Sequence, residues 1–142
     1  MVQVPVINSD GLPPITLKAL RESYGLINLA PGSPEPDWLL PPRDPIFVSA
    51  TRSIYGFSII CPEAWVPANA QVDHMVGGWR VLRVEEPRDW AMHGLYARLT
   101  APLAEDAISI YLVGAYNSDH LLVRGADYDR AVQILSRFCN FV

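Results

Sequence analysis

The run from Ile108 to Arg124, Ile-Ser-Ile-Tyr-Leu-Val-Gly-Ala-Tyr-Asn-Ser-Asp-His-Leu-Leu-Val-Arg, constrains the fold more than any other stretch of the chain. Two segments rich in apolar and β-branched residues, Ile108 to Val113 and His120 to Val123, flank a polar break at Asn117-Ser118-Asp119, the composition of a tight β-hairpin. Helical patterns stand on either side. Met92, Leu95, Tyr96, Leu99 and Leu103 fall on one face of a helix spanning Met92 to Ala104, and Tyr128, Ala131, Val132, Leu135 and Phe138 form a second stripe within Tyr128 to Phe138. Pro102 should disturb the first helix near its end. Asp127 can cap the second, because a carboxylate there accepts amide hydrogens of the first turn.

A strand at Trp79-Arg-Val-Leu-Arg-Val-Glu, ended by Pro87, precedes the first helix, and Phe141-Val142 leaves room for a short last strand. The order is then strand, helix, strand, strand, helix, strand, the ferredoxin-like split unit. Helices covering one face of an antiparallel sheet give a two-layer α+β fold. The first half repeats part of this order. Thr16 to Tyr24 is an approach segment, Tyr24 to Ala30 a strand, and Ile46 to Arg52 pairs with Tyr55 to Cys61 through a turn around Ser53-Ile54. Between these strands, six of the thirteen prolines fall from Pro31 to Pro45, and no long helix fits there. Asn69 to Gly78 reads as a connection. The expected organisation is an extension over 1–15, a first unit over 16–73 and a second over 74–142.

Composition excludes several classes of partner. Eleven Lys and Arg in 142 residues and a net charge of −4 leave no basic surface for nucleic acid. Hydrophobic residues make up 50% of the chain, enough for a real core, yet no window has the length of a membrane span. The N-terminus lacks the basic start and apolar run of a secretory signal. Cys61 and Cys139 stand apart, without metal-ligand spacing, and read as buried thiols in a reducing compartment. A cytoplasmic protein without membrane association is the expectation. No nucleophile elbow, phosphate loop or zinc motif is present, and no cofactor is expected.

Six stretches together carry a resemblance: Leu29-Ala-Pro, Phe47-Val-Ser-Ala-Thr-Arg, Ser58-Ile-Ile-Cys-Pro-Glu, Gly78-Trp-Arg-Val-Leu-Arg-Val-Glu, Pro102-Leu-Ala-Glu-Asp-Ala-Ile-Ser-Ile-Tyr and Tyr116-Asn-Ser-Asp-His-Leu-Leu-Val. In this order, from about Leu17 to the C-terminus, the chain resembles the tandem ACT-domain family related to the CASTOR arginine sensors and to small bacterial proteins of similar length. The resemblance implies two ACT-like units, pairing of chains into a homodimer, and an amino acid or related carboxylate held between units. It places that ligand against the turn into the first helix of the second unit, Met92-His93-Gly94-Leu95, and the hairpin loop Ala115, Tyr116, Asn117, Ser118 and Asp119. The physical basis is familiar: amides at a helix start receive a carboxylate, and an aspartate receives an ammonium. Gly94 would let a ligand approach the backbone.

Departures from the family pattern matter equally. Arginine-sensing members carry an acidic residue in the turn where this chain has Met92-His93, which argues against arginine. Ala115 stands where many relatives have Ser or Thr, and His93 replaces a small or aliphatic residue. Ligand sensing is therefore the first expectation. The alternative is a repurposed fold in which His93, Tyr116 and Asp119 perform acid–base chemistry, with His93 the catalytic candidate. Taken without the resemblance, Asp119 is an ordinary turn residue and His93 an exposed side chain near a helix start. His120 should pack at a strand start, and His74 lies in the connection. Glu85, Glu86 and Asp89 form a solvated strand end with no His or Cys at ligand spacing. Trp90, Tyr111 and Tyr116 are candidates to line a pocket, though aromatic residues more often fill a core. A third possibility, a protein-binding module without a ligand, would show an exposed apolar patch.

Overall fold

The computed structural model describes residues 15–39, 47–85 and 94–142. Among the described residues eight strands run in chain order: β1 (Ile15–Ala19), β2 (Tyr24–Leu29), β3 (Ser49–Ser53), β4 (Gly56–Pro62), β5 (His74–Val84), β6 (Ile110–Gly114), β7 (Asp119–Arg124) and β8 (Cys139–Phe141). Two α-helices, α1 (Leu95–Glu105) and α2 (Tyr128–Leu135), lie in the second half. The fold is α+β, with a mixed sheet. Contacts divide the chain into one compact unit of residues 21–79 and another made of residues up to 20 together with 80–142. The division between these contact units falls inside β5.

In the unit of residues 21–79 the strand order is β3-β4-β2-β5, and each of these pairs is antiparallel. That is the strand order of a ferredoxin-like unit, but among the described residues no α-helix accompanies it. Two single 3-10 turns, Asp37–Leu39 and Glu63–Trp65, stand where a ferredoxin-like unit has its helices. Pro31, Pro34 and Pro36 account for the first, since each removes an amide donor and biases its predecessor away from helical dihedrals. Apolar cover comes from the turns themselves. Trp38, Leu39, Trp65 and Val66 pack on Ile27 and Leu29 of β2 and on Phe57, Ile59 and Cys61 of β4. A bulge shifts the β2–β5 register between Tyr24 and Leu26; it forms at Gly77-Gly78, where the Glu63 carboxylate accepts the Gly78 N–H at 2.5 Å. His74 and Met75, expected in a connection, instead extend β5 and pair with Asn28 and Ile27.

The other unit holds the split order β5-α1-β6-β7-α2-β8, with one addition. β1, expected as an approach to the first half, lies between β5 and β8, antiparallel to β5 and parallel to β8. The strand order is β6-β7-β5-β1-β8. Alternate residues of these strands, Ile15, Leu17, Leu82, Val84, Leu121, Val123 and Cys139, point to one face. Leu99 and Leu103 of α1 and Ala131, Ile134 and Leu135 of α2 complete that core. The α2 stripe thus runs through Ile134 rather than Val132, which is only half-buried.

Both helix ends differ from the sequence expectation in instructive ways. α1 continues past Pro102 to Glu105 and stops in a Schellman arrangement: Ile108 N–H donates to the Leu103 carbonyl at 3.0 Å and Ala107 N–H to Ala104 at 3.0 Å. Ala107 takes the left-handed conformation, φ 57°, that this motif requires. Asp127 precedes α2 but does not cap it with its side chain; its carboxylate instead lies 3.6 Å from the Arg130 guanidinium, and a 3-10 turn over Gly125–Asp127 leads into the helix. Among the described residues no helix is long and apolar enough to cross a membrane.

Candidate functional site

The expected ligand residues fall at the mouth of the β6–β7 hairpin and the start of α1, all within the unit of residues up to 20 and 80–142. Met92 and His93 lie outside the described residues, as do Trp90, Glu86 and Asp89. Gly94 is the residue before α1 and adopts φ +76°, a conformation glycine takes without steric cost. A Cβ built there would meet nothing within 4 Å among the described residues. Arg98 N–H donates to the Gly94 carbonyl at 2.9 Å as the first bond of the helix. The amides of Leu95, Tyr96 and Ala97 lie ahead of it, at the positive end of the helix dipole. Leu95 is turned to the core, against which it packs.

The hairpin is tighter than its composition alone indicates. Gly114 pairs with Asp119, and Ala115 N–H donates to the Ser118 carbonyl at 2.8 Å, so Ala115, Tyr116, Asn117 and Ser118 form the loop. Asp119 is thus not a turn residue but the first residue of β7, on the same strand face as Leu121 and Val123, and it is only 4% exposed. A buried carboxylate needs strong donors. One is Tyr96, whose hydroxyl donates to Asp119 Oδ1 at 2.5 Å. Tyr116 stands 75% exposed at the loop.

Two residues of this arrangement were not singled out as site residues from the sequence. By spacing Tyr96 belongs to the apolar stripe of α1, although a tyrosine hydroxyl in such a stripe usually finds a polar partner. Gly114 ends β6 opposite Asp119, and a Cβ there would lie 2.8 Å from the Tyr96 hydroxyl and 3.3 Å from Asp119 Oδ1. Glycine in a strand often marks such a close approach. It is the signal that was available.

On the other strand face, His120 is buried. Burial lowers its pKa from 6.5 to about 4, with the Arg83 guanidinium adding in the same direction; a backbone hydrogen bond involving Val113 and the charges of Asp119 and Glu85 pull the other way. The imidazole is neutral at pH 7. Both thiols are buried, and burial pushes Cys139 up to about 12, against a smaller opposing effect of Arg98. Among the described residues no three His, Cys, Asp or Glu side chains gather as metal ligands would.

Sheet order, helices on one face and a buried acid beside a helix start define a small α+β domain of the ferredoxin-like order. The chain belongs to the ACT domain family, whose pattern matches residues 75–137. Protein Atu0741 of Agobacterium tumefaciens is 30% identical and similar over 92% of this chain and 93% of its own, with a TM-score of 0.78. Aspartokinase III of E. coli, solved in complex with aspartate and ADP, is 12% identical, with a TM-score of 0.60 over 89% of this chain and 34% of its own. The regulatory subunit of aspartate kinase from Thermus thermophilus is 9% identical, with a TM-score of 0.56 over 86% of this chain and 95% of its own. These last two are likenesses of fold. No curated protein matches the sequence.

Proposed function

We propose that this protein binds an amino acid or a similar small amino-carboxylate and acts as a sensor, without catalysing a reaction. The observation that carries the reading is the buried Asp119 carboxylate at the hairpin mouth, bonded to a side chain of the first turn of α1. A carboxylate so placed can receive an ammonium, and the amides following Gly94 can receive the ligand's carboxylate. The likeness to aspartokinase III, a protein solved with aspartate, supports the choice of amino acids over other small molecules. The dipeptide Met92-His93 lacks the acid of the arginine sensors that the sequence resembles, so arginine is the least expected ligand. Pairing of two copies and residence in the cytoplasm belong to the same proposal.

Thermal-shift measurement across the standard amino acids tests it. Selective stabilisation by one or a few is expected, reaching about 2.7 kcal/mol at a concentration a hundredfold above Kd, and Asp119→Asn should remove it. No shift with any amino acid, or a shift unchanged in Asp119→Asn, would refute the reading. The acid–base alternative has less support, because Tyr116 projects from the loop while Asp119 is buried.

A further inference from the structure

We infer that Tyr96 is a latch on Asp119, displaced by the ammonium of the incoming ligand, and that it thereby sets both affinity and preference for amines. The inference rests on the amino-acid-binding reading above. Its basis is the way the pair is layered. Asp119 is 4% exposed, while Tyr96, which holds Asp119 Oδ1 at 2.5 Å, is 36% exposed. The phenol is thus the more exposed partner of the bond, and it occupies an acceptor position of Oδ1 that a charged donor could take. A tyrosine hydroxyl is a neutral donor. Its bond to the carboxylate is charge-assisted through the acceptor alone, whereas an ammonium in its place brings opposite charge to both sides and makes the stronger bond. The exchange breaks the Tyr96 O–H···Oδ1 bond and forms one N–H···Oδ1 bond, with no proton transferred.

Tyr96 is the second residue of α1, two positions after Gly94, whose backbone no other described residue covers. Rotation of its side chain moves the hydroxyl without moving the helix. Gly114 makes the closed position possible, because any Cβ there would press on the hydroxyl at 2.8 Å. A closed latch reduces apparent affinity in proportion to the fraction of molecules that are open. It also discriminates: a ligand lacking the amine gains nothing at Asp119 from displacing the phenol.

The test is isothermal titration of the wild type, Tyr96→Phe and Gly114→Ala with each standard amino acid and with the corresponding 2-hydroxy acids. Circular dichroism first establishes which variants fold. Tyr96→Phe leaves the carboxylate short of one donor and should bind the same amino acid about tenfold more tightly, the order expected for loss of one competing hydrogen bond. Gly114→Ala displaces the hydroxyl by an independent route and should act in the same direction, and it alone decides the matter if Tyr96→Phe does not fold. Binding seen only in a variant also supports the latch. Equal or weaker amino-acid binding in the folded variants, or an equal gain for the hydroxy acids, overturns the latch and leaves the amino-acid reading standing. Absence of amino-acid binding in all the proteins overturns both.

Discussion

His120 should make the stability of this protein fall in mild acid, through a window set by its burial. In the folded chain its pKa is about 4, lowered first by burial and second by Arg83, whereas an unfolded chain has the ordinary value of 6.5. Between those two values the unfolded state holds the extra proton, so stability rises with pH there. The contribution is complete above pH 6.5, declines as pH falls toward 4, and is constant below that, where both states are protonated. A difference of roughly 2.5 in pKa, at about 1.4 kcal/mol per factor of ten, sets an upper bound of about 3.5 kcal/mol. Relaxation around the charged ring reduces this, so a fall of about 2 to 3 kcal/mol is expected. The perturbation is His120→Gln, which keeps a polar side chain but cannot titrate. Urea unfolding of both proteins at a series of pH values supplies the stabilities, and their difference cancels carboxylates common to both, among them Asp119 and Glu85. The wild type should lose stability relative to the variant as the pH drops through the window. A difference that stays constant within about 0.5 kcal/mol from neutral pH to pH 4 would refute the assignment of a buried, neutral imidazole.

Three further perturbations probe the fold and the site. Ala107→Gly should stabilise the protein by about 0.5 to 1 kcal/mol, measured as a raised unfolding midpoint, because it relieves a left-handed alanine at the end of α1. Leu103→Ala removes a fully buried side chain that packs between α1 and the sheet, and chemical denaturation should show a loss of about 2 to 5 kcal/mol. Asp119→Asn exchanges a charge-assisted bond with Tyr96 for a neutral one and should cost about 1 kcal/mol in the absence of ligand, read from the same denaturation curves.

Periodicity located the parts of the chain whose apolar residues repeat. Leu95, Leu99 and Leu103 lie on the core side of α1, the hairpin turns where Asn117-Ser118 indicated, and β3 and β4 meet at Ile54-Tyr55. What periodicity missed depends on distant pairing. β1 has an ordinary strand composition, and nothing local says that it will lie between β5 and β8. His74 to Val76 alternate too weakly to read as a strand, but β2 supplies partners for them. At the site, Asp119 was placed in the turn because aspartate favours turns. It starts β7 instead, since the Gly114–Asp119 pair closes the loop one residue earlier. Tyr96 was legible as a helical residue and not as a partner of Asp119, because a stripe assignment describes the ring and is silent about the hydroxyl.

The order β6-β7-β5-β1-β8 separates two things this unit has to do. At one edge, β8 has only three residues and pairs with β1, so the last strand depends on a segment that precedes the unit of residues 21–79 in the chain. At the other edge, β6 and β7 carry Gly114 and Asp119, and α1 brings Tyr96 to them. The region matching the ACT domain family, residues 75–137, spans the second edge and stops before the first. Leu82 and Val84 of β5 and Leu121 and Val123 of β7 are core residues packed with both helices. A close-packed core of this kind holds the strands that frame Asp119 in register and leaves the Tyr96 side chain, at the rim, as the part of the site able to move without disturbing them.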